Sequence, residues 1–152
     1  MTDMTDSFVT DTRHPPADNL PHAPSSVPLV VDAADVPLSG GTDPTYGCVR
    51  WRTLINGEAD NPRDMVLGIA EFAPHGRLLP HRHDPAEFYF GLDGAGTVTI
   101  DGVGHQIGPG IAIYVPGGAE HEVEAGPEGL RFSYGFAVTS FEAIEYRFTA
   151  CA

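Results

Sequence analysis

The chain has 152 residues, with 8 Lys+Arg against 21 Asp+Glu and a formal net charge of −13. That is the size of one domain, and it leaves no basic surface to neutralise the phosphates of a nucleic acid or an anionic membrane. Cys48 and Cys151 give neither a disulfide framework nor a cysteine-based metal spacing, and no apolar run approaches the ~20 residues of a membrane span or forms a leader, so a cytoplasmic protein is expected.

Residues 1–26, MTDMTDSFVTDTRHPPADNLPHAPSS, hold too few apolar side chains to repay the entropy of ordering and are expected to form a flexible N-terminal arm. Residues 27–152 are expected to form a single barrel domain. Val27–Asp32 is a first apolar run, and Gly40-Gly41 with Pro44 breaks the chain before the core. From there Gly47–Ile55, Met65–Ala73, Ala86–Gly91, Gly96–Asp101, Gly110–Val115, Ala119–Ala125, Leu130–Val138 and Ala143–Thr149 carry the alternation and the β-branched or aromatic content of half-buried strands. Asn61-Pro62, Pro74-His75-Gly76, Asp93-Gly94, Asp101-Gly102, Pro116-Gly117-Gly118 and Gly126-Pro127 separate them, and Asp101-Gly102 is a two-residue hairpin signal. A brief helical turn is possible at Ser140–Ile144. The fold class is all-β, a sandwich or a double-sheet jelly roll.

The chemistry concentrates in two stretches, Gly76–Gly94 and Gly110–His121. His81 and His83 are one residue apart, so an extended chain points both imidazoles to the same side; Glu87 and Tyr89 stand in the same relation. Phe88 and Phe90 then face the other way and pack. His121 arrives from a later strand after the Pro116-Gly117-Gly118 turn. Three imidazoles and a carboxylate make a mixed nitrogen and oxygen site suited to one divalent transition metal, Fe(II), Mn(II), Co(II), Ni(II) or Zn(II). His75 and His105, beside turn glycines, read as surface residues.

These stretches resemble the two motifs of the cupin family. Gly76-(4)-His81-Arg82-His83-(3)-Glu87-(6)-Gly94 is similar to the first, and Gly110-(5)-Pro116-Gly117-Gly118-(2)-His121 to the second. One residue is missing between Gly76 and His81, and the Asn that often ends the second motif is Ala125; neither departure touches a ligand. The resemblance implies a cupin jelly-roll barrel with the metal inside and, commonly, a homodimer.

Tyr89, two residues after Glu87, narrows the resemblance to the bacterial cupin-type dimethylsulfoniopropionate (DMSP) lyases. That resemblance implies β-elimination of a small zwitterionic substrate to dimethyl sulfide and acrylate, with Fe(II) the favoured metal and Tyr89 the general base, since a phenol of ordinary pKa ~10 needs a nearby cation to serve at neutral pH. Some relatives carry a second Tyr three residues before the first motif His, but that position here is Leu78. A sulfonium group has no hydrogen to donate and is held by aromatic faces, for which Trp51, Tyr134, Phe136 and Tyr146 are candidates. Leu130, Phe132, Tyr134 and Phe136 share one strand face by parity. Arg50 or Arg52 is a candidate for the substrate carboxylate. The same ligands would also serve an Fe(II)-dependent cupin dioxygenase or a non-enzymatic small-ligand-binding cupin.

Overall fold

The computed structural model describes residues 23–58 and 60–150. Residues 1–22 of the expected arm, and Cys151, lie outside the described residues. Among the described residues nine strands form one antiparallel sheet: β1 Ser39–Asp43, β2 Gly47–Ile55, β3 Val66–Phe72, β4 Arg77–Arg82, β5 Glu87–Ile100, β6 Val103–Ile107, β7 Ala112–Val115, β8 His121–Phe136 and β9 Arg147–Phe148. Short 3-10 turns occur at Ala33–Asp35 and Phe141–Ala143.

The sheet closes on itself through its longest strand. The C-terminal half of β8 pairs β3, from Leu130 on Phe72 to Phe136 on Val66, while its N-terminal half pairs β4, with His121 opposite His81. β2 bridges the two by pairing both β3 and β4. The ring of β8, β3, β2 and β4 is therefore complete, and β5 runs along all of β8, from Glu87 on Phe136 to Ile100 on His121. An all-β jelly-roll barrel results, as the sequence predicts. Closure removes the exposed strand edges that an open sheet would leave.

Two expected turns are absorbed into strands. Asp93-Gly94 sits inside β5 and Gly126-Pro127 inside β8. The β5–β8 register shifts between Gly91 and Asp93 and again between Gly94 and Gly96, and Gly94 has φ +68°. These glycines serve bulges that bend a continuous strand around the barrel. Asp101-Gly102 does form the expected hairpin, both residues at positive φ between β5 and β6. Gly40-Gly41, read as a break, lies within β1, and the expected strand Ala143–Thr149 is reduced to β9 behind the 3-10 turn.

Inward residues follow parity. Leu130, Phe132, Tyr134 and Phe136 are all buried, joined by Val98, Val115 and Val123. Phe132 stacks on Phe72 at 5.6 Å and meets Tyr89 at 4.4 Å between ring centroids. Phe132→Ala is therefore expected to lower the free energy of unfolding by about 3–5 kcal/mol, measured by denaturant titration. Phe88 and Phe90 do face outward and are 43% and 42% exposed; Phe88 packs against Gly135 of β8, where an added Cβ would stand 2.2 Å from its ring. Phe88 pairs Tyr114 and Phe90 pairs Ala112 on β7, and Tyr114 is 69% exposed.

Candidate metal centre and its cavity

β4 delivers His81, the segment after it His83, the start of β5 Glu87, and the start of β8 His121. All four are buried at one end of the barrel. One ring nitrogen from each of the three histidines lies within 4.8 Å of the others. Their orientation is set by the backbone. His81 Nδ1 is 2.8 Å from the Leu79 carbonyl, His83 Nδ1 2.8 Å from that of Pro85, and His121 Nδ1 3.0 Å from that of Ala119. A carbonyl oxygen only accepts, so each Nδ1 carries the proton and each Nε2 is left to turn inward. That is the arrangement by which backbone carbonyls behind the rings orient imidazoles for a metal.

Glu87 Oε2 lies 3.1 Å from His83 Nε2 and 3.3 Å from His121 Nε2. In the metal-free protein, hydrogen bonds from these two histidines hold the carboxyl below its ordinary range although burial opposes this. His83 is correspondingly raised: burial acts against its protonation, and the Glu87 bond and charge outweigh it. His81 behaves oppositely, lowered to about 4 by burial and then by the neighbouring His121. Among the described residues, His81 Nε2 is the one buried side-chain nitrogen or oxygen without a hydrogen-bond partner. An unpaired, unprotonated nitrogen grouped with two more imidazole nitrogens, with the Glu87 carboxylate against His83 and His121, fits a divalent transition metal.

His81 carries a pH consequence for the metal-free protein. Its folded pKa lies below its unfolded value, so it favours folding above pH 6.5, and that advantage is lost as pH falls toward 4. The Glu87 shift operates only below the ordinary carboxyl value of 4.5, and His83, raised in the fold, is protonated in both states below 6.5. Chelator-treated protein should therefore lose about 2 kcal/mol of stability between pH 6.5 and 4.5, read by urea melts at each pH.

A cavity of about 220 Å³ opens beside this cluster, with Glu87 and Tyr89 at one side and Trp51, Tyr134 and Tyr146 around it. The Tyr89 ring centroid is 6.4 Å from that of His121. Its hydroxyl is pushed well above the ordinary phenol value, first by burial and then by the Glu87 charge. Tyr146 stacks on His81 at 5.3 Å and meets His83 edge-on at 5.2 Å. The Tyr134 hydroxyl is 3.1 Å from Thr53 Oγ1, and burial lifts its pKa to about 12.

Arg50 and Arg52 point outward by strand parity and away from the cavity. Arg52 donates to Glu71 and to the Val36 carbonyl, so neither arginine is placed to meet a carboxylate inside. His75 and His105 are exposed, as read. The cavity also contains residues the sequence reading passed over: Tyr46, Phe141 and Phe148. Phe148 is set opposite His81 by the pairing of β9 with β4. Its alternation with Tyr146 was the available signal; Tyr46, beside a turn, gave none.

A cupin domain is recognised over residues 68–133. The dimethylsulfoniopropionate lyase DddW of Ruegeria pomeroyi is 66% identical over 157 aligned positions, covering 100% of both chains. Among solved structures, the polyketide cyclase RemF of Streptomyces resistomycificus superposes with a TM-score of 0.68 at 25% identity, covering 83% of this chain and 88% of its own. A predicted oxalate decarboxylase of Thermotoga maritima superposes at 0.63 and 22% identity, covering 72% of this chain and 99% of its own, which bears on the fold alone.

Proposed function

The chain belongs to the cupin family, in the group of the dimethylsulfoniopropionate lyase DddW, and from that membership we propose that it is a metal-dependent lyase splitting DMSP into dimethyl sulfide and acrylate. The observation that carries the mechanism is that Tyr89 and Glu87 line one cavity while the Glu87 carboxylate also lies against two of the three clustered imidazoles. His81, His83 and His121, with Glu87 against two of them, would hold one divalent metal, Fe(II) in the favoured assignment. A cation there supplies the positive charge required to stabilise an α-carbanion next to a carboxylate.

The chain's own residues do the rest. Tyr89, as phenolate, takes a proton from the substrate carbon next to the carboxylate. The C–H electron pair becomes the second bond between that carbon and its β-neighbour, the β-carbon to sulfur bond breaks with its pair on sulfur, and neutral dimethyl sulfide leaves acrylate behind. The proton on Tyr89 then returns to water. In the metal-free protein burial, and then the Glu87 charge, hold the phenol protonated, and a cation beside Glu87 would act in the opposite direction, the one a base requires. The apolar walls of the cavity exclude water from the carbanion.

The test is release of dimethyl sulfide by metal-loaded protein in the absence of oxygen. Turnover that requires and consumes O₂ would place the protein with the cupin dioxygenases instead.

A further inference from the structure

The register of the strands gives the cavity two chemically different ends. Glu87 lies opposite Phe136 on β8. Phe132, four residues back along β8, lies opposite Ala70, and Ala70 opposite Trp51. At ~3.3 Å per residue, Trp51 sits roughly 13 Å along the strands from the level of Glu87, yet both line one cavity. A metal-to-oxygen bond of about 2 Å, roughly 5 Å of extended chain from carboxylate oxygen to sulfur and up to ~6 Å from a cation to a ring centroid together span that distance.

The other aromatic candidates are otherwise engaged. Tyr134 has its hydroxyl 3.1 Å from Thr53 Oγ1, and Phe136 meets His83 edge-on at 5.1 Å and is not among the residues lining the cavity. Tyr146 is stacked on His81 at 27° and on Phe148 at 19°, at the metal end. Trp51 is different. Gly40, at φ +79°, backs its six-membered ring so closely that a Cβ would lie 2.3 Å from Cζ3. Tyr46 meets the indole at 76° with centroids 5.6 Å apart, and both side chains line the cavity.

We infer that Trp51, backed by Gly40 and flanked by Tyr46, receives the sulfonium end of the substrate and makes the site prefer cationic over neutral carboxylates. This assignment rests on the lyase reading above and names the part of the cavity that reads the substrate's charge. The aromatic face attracts the cation through its quadrupole, more strongly when the cation is desolvated against apolar walls. Gly40 is a positioning residue, since any side chain there would displace the indole.

The test uses two carboxylates that differ at the far end, 3-(trimethylammonio)propanoate and its uncharged counterpart 4-methylpentanoate. Their dissociation constants are measured by calorimetry on metal-loaded wild type, Trp51→Phe and Trp51→Leu. The wild type should bind the cationic ligand roughly 10- to 30-fold more tightly, Trp51→Phe should keep part of that preference, and Trp51→Leu should lose it. Trp51 is the single tryptophan of the chain, so its fluorescence in the wild type should respond to the cationic ligand, a readout that does not depend on either variant folding. An undiminished preference in Trp51→Leu, or cation binding that leaves the fluorescence unchanged, overturns the assignment. Release of dimethyl sulfide by the same wild-type preparation separates the two ideas. Charge preference without dimethyl sulfide removes the lyase reading and keeps Trp51 as the cation receptor, whereas dimethyl sulfide without charge preference removes the Trp51 assignment alone.

Discussion

Replacing His121 by alanine is expected to abolish both metal binding and turnover. His121 Nε2 is 3.3 Å from Glu87 Oε2, and its ring lies 4.1 Å from that of His81, so it sits in the middle of the cluster. Its Nδ1 is fixed by the Ala119 carbonyl, which leaves Nε2 as the ligand atom. Changing the outer partners of a metal ligand typically costs 10- to 100-fold in affinity or activity, and deleting the ligand should cost at least about 100-fold. Metal content by plasma mass spectrometry should fall to background while the far-ultraviolet dichroism stays that of a β-protein. A variant that kept stoichiometric metal would remove His121 from the ligand set.

Tyr89→Phe is expected to separate the two functions that His121→Ala loses together. The ring packs on Phe132 at 4.4 Å in the buried core, and phenylalanine keeps that packing. Only the hydroxyl is lost. If that hydroxyl is the base, kcat should fall by about 10²- to 10⁴-fold, the usual contribution of a general base, with metal content unchanged. The base acts on bound substrate, so KM should move little by comparison. Normal turnover by this variant would return Tyr89 to the core as one more packed aromatic.

The ligand-bearing residues were legible because a strand has a period of two. His81 and His83, and then Glu87 and Tyr89, each share a side, and that parity survives in the barrel, where all four are buried. Parity also placed Phe132, Tyr134 and Phe136 inside and Phe88 and Phe90 outside. What it does not encode is how far the outer face is covered: Phe88 packs against Gly135, yet both it and Phe90 stay about two-fifths exposed. The bulged glycines of β5 show a second limit. Gly94 at φ +68° satisfies a turn or a bulge equally well, and pairing with β8, more than thirty residues away in the chain, decides between them. Tyr46 and Phe141 reach the cavity from a turn and from the segment after β8, positions with no periodicity to read. The distinction between Trp51 and the tyrosines likewise emerges only in space, from the Thr53 partner of the Tyr134 hydroxyl and the rings stacked on Tyr146.

The most direct test of a metal-dependent lyase is a metal titration of the reaction itself. Protein stripped with a chelator and dialysed is reloaded with Fe(II), Mn(II) or Zn(II) under nitrogen, given DMSP, and assayed for dimethyl sulfide by gas chromatography and for acrylate by liquid chromatography. The account predicts no product from the stripped protein, activity rising with bound metal to saturation near one equivalent per chain, and equal amounts of the two products. Full activity in the stripped protein, or no product with any of the three metals bound, would contradict it.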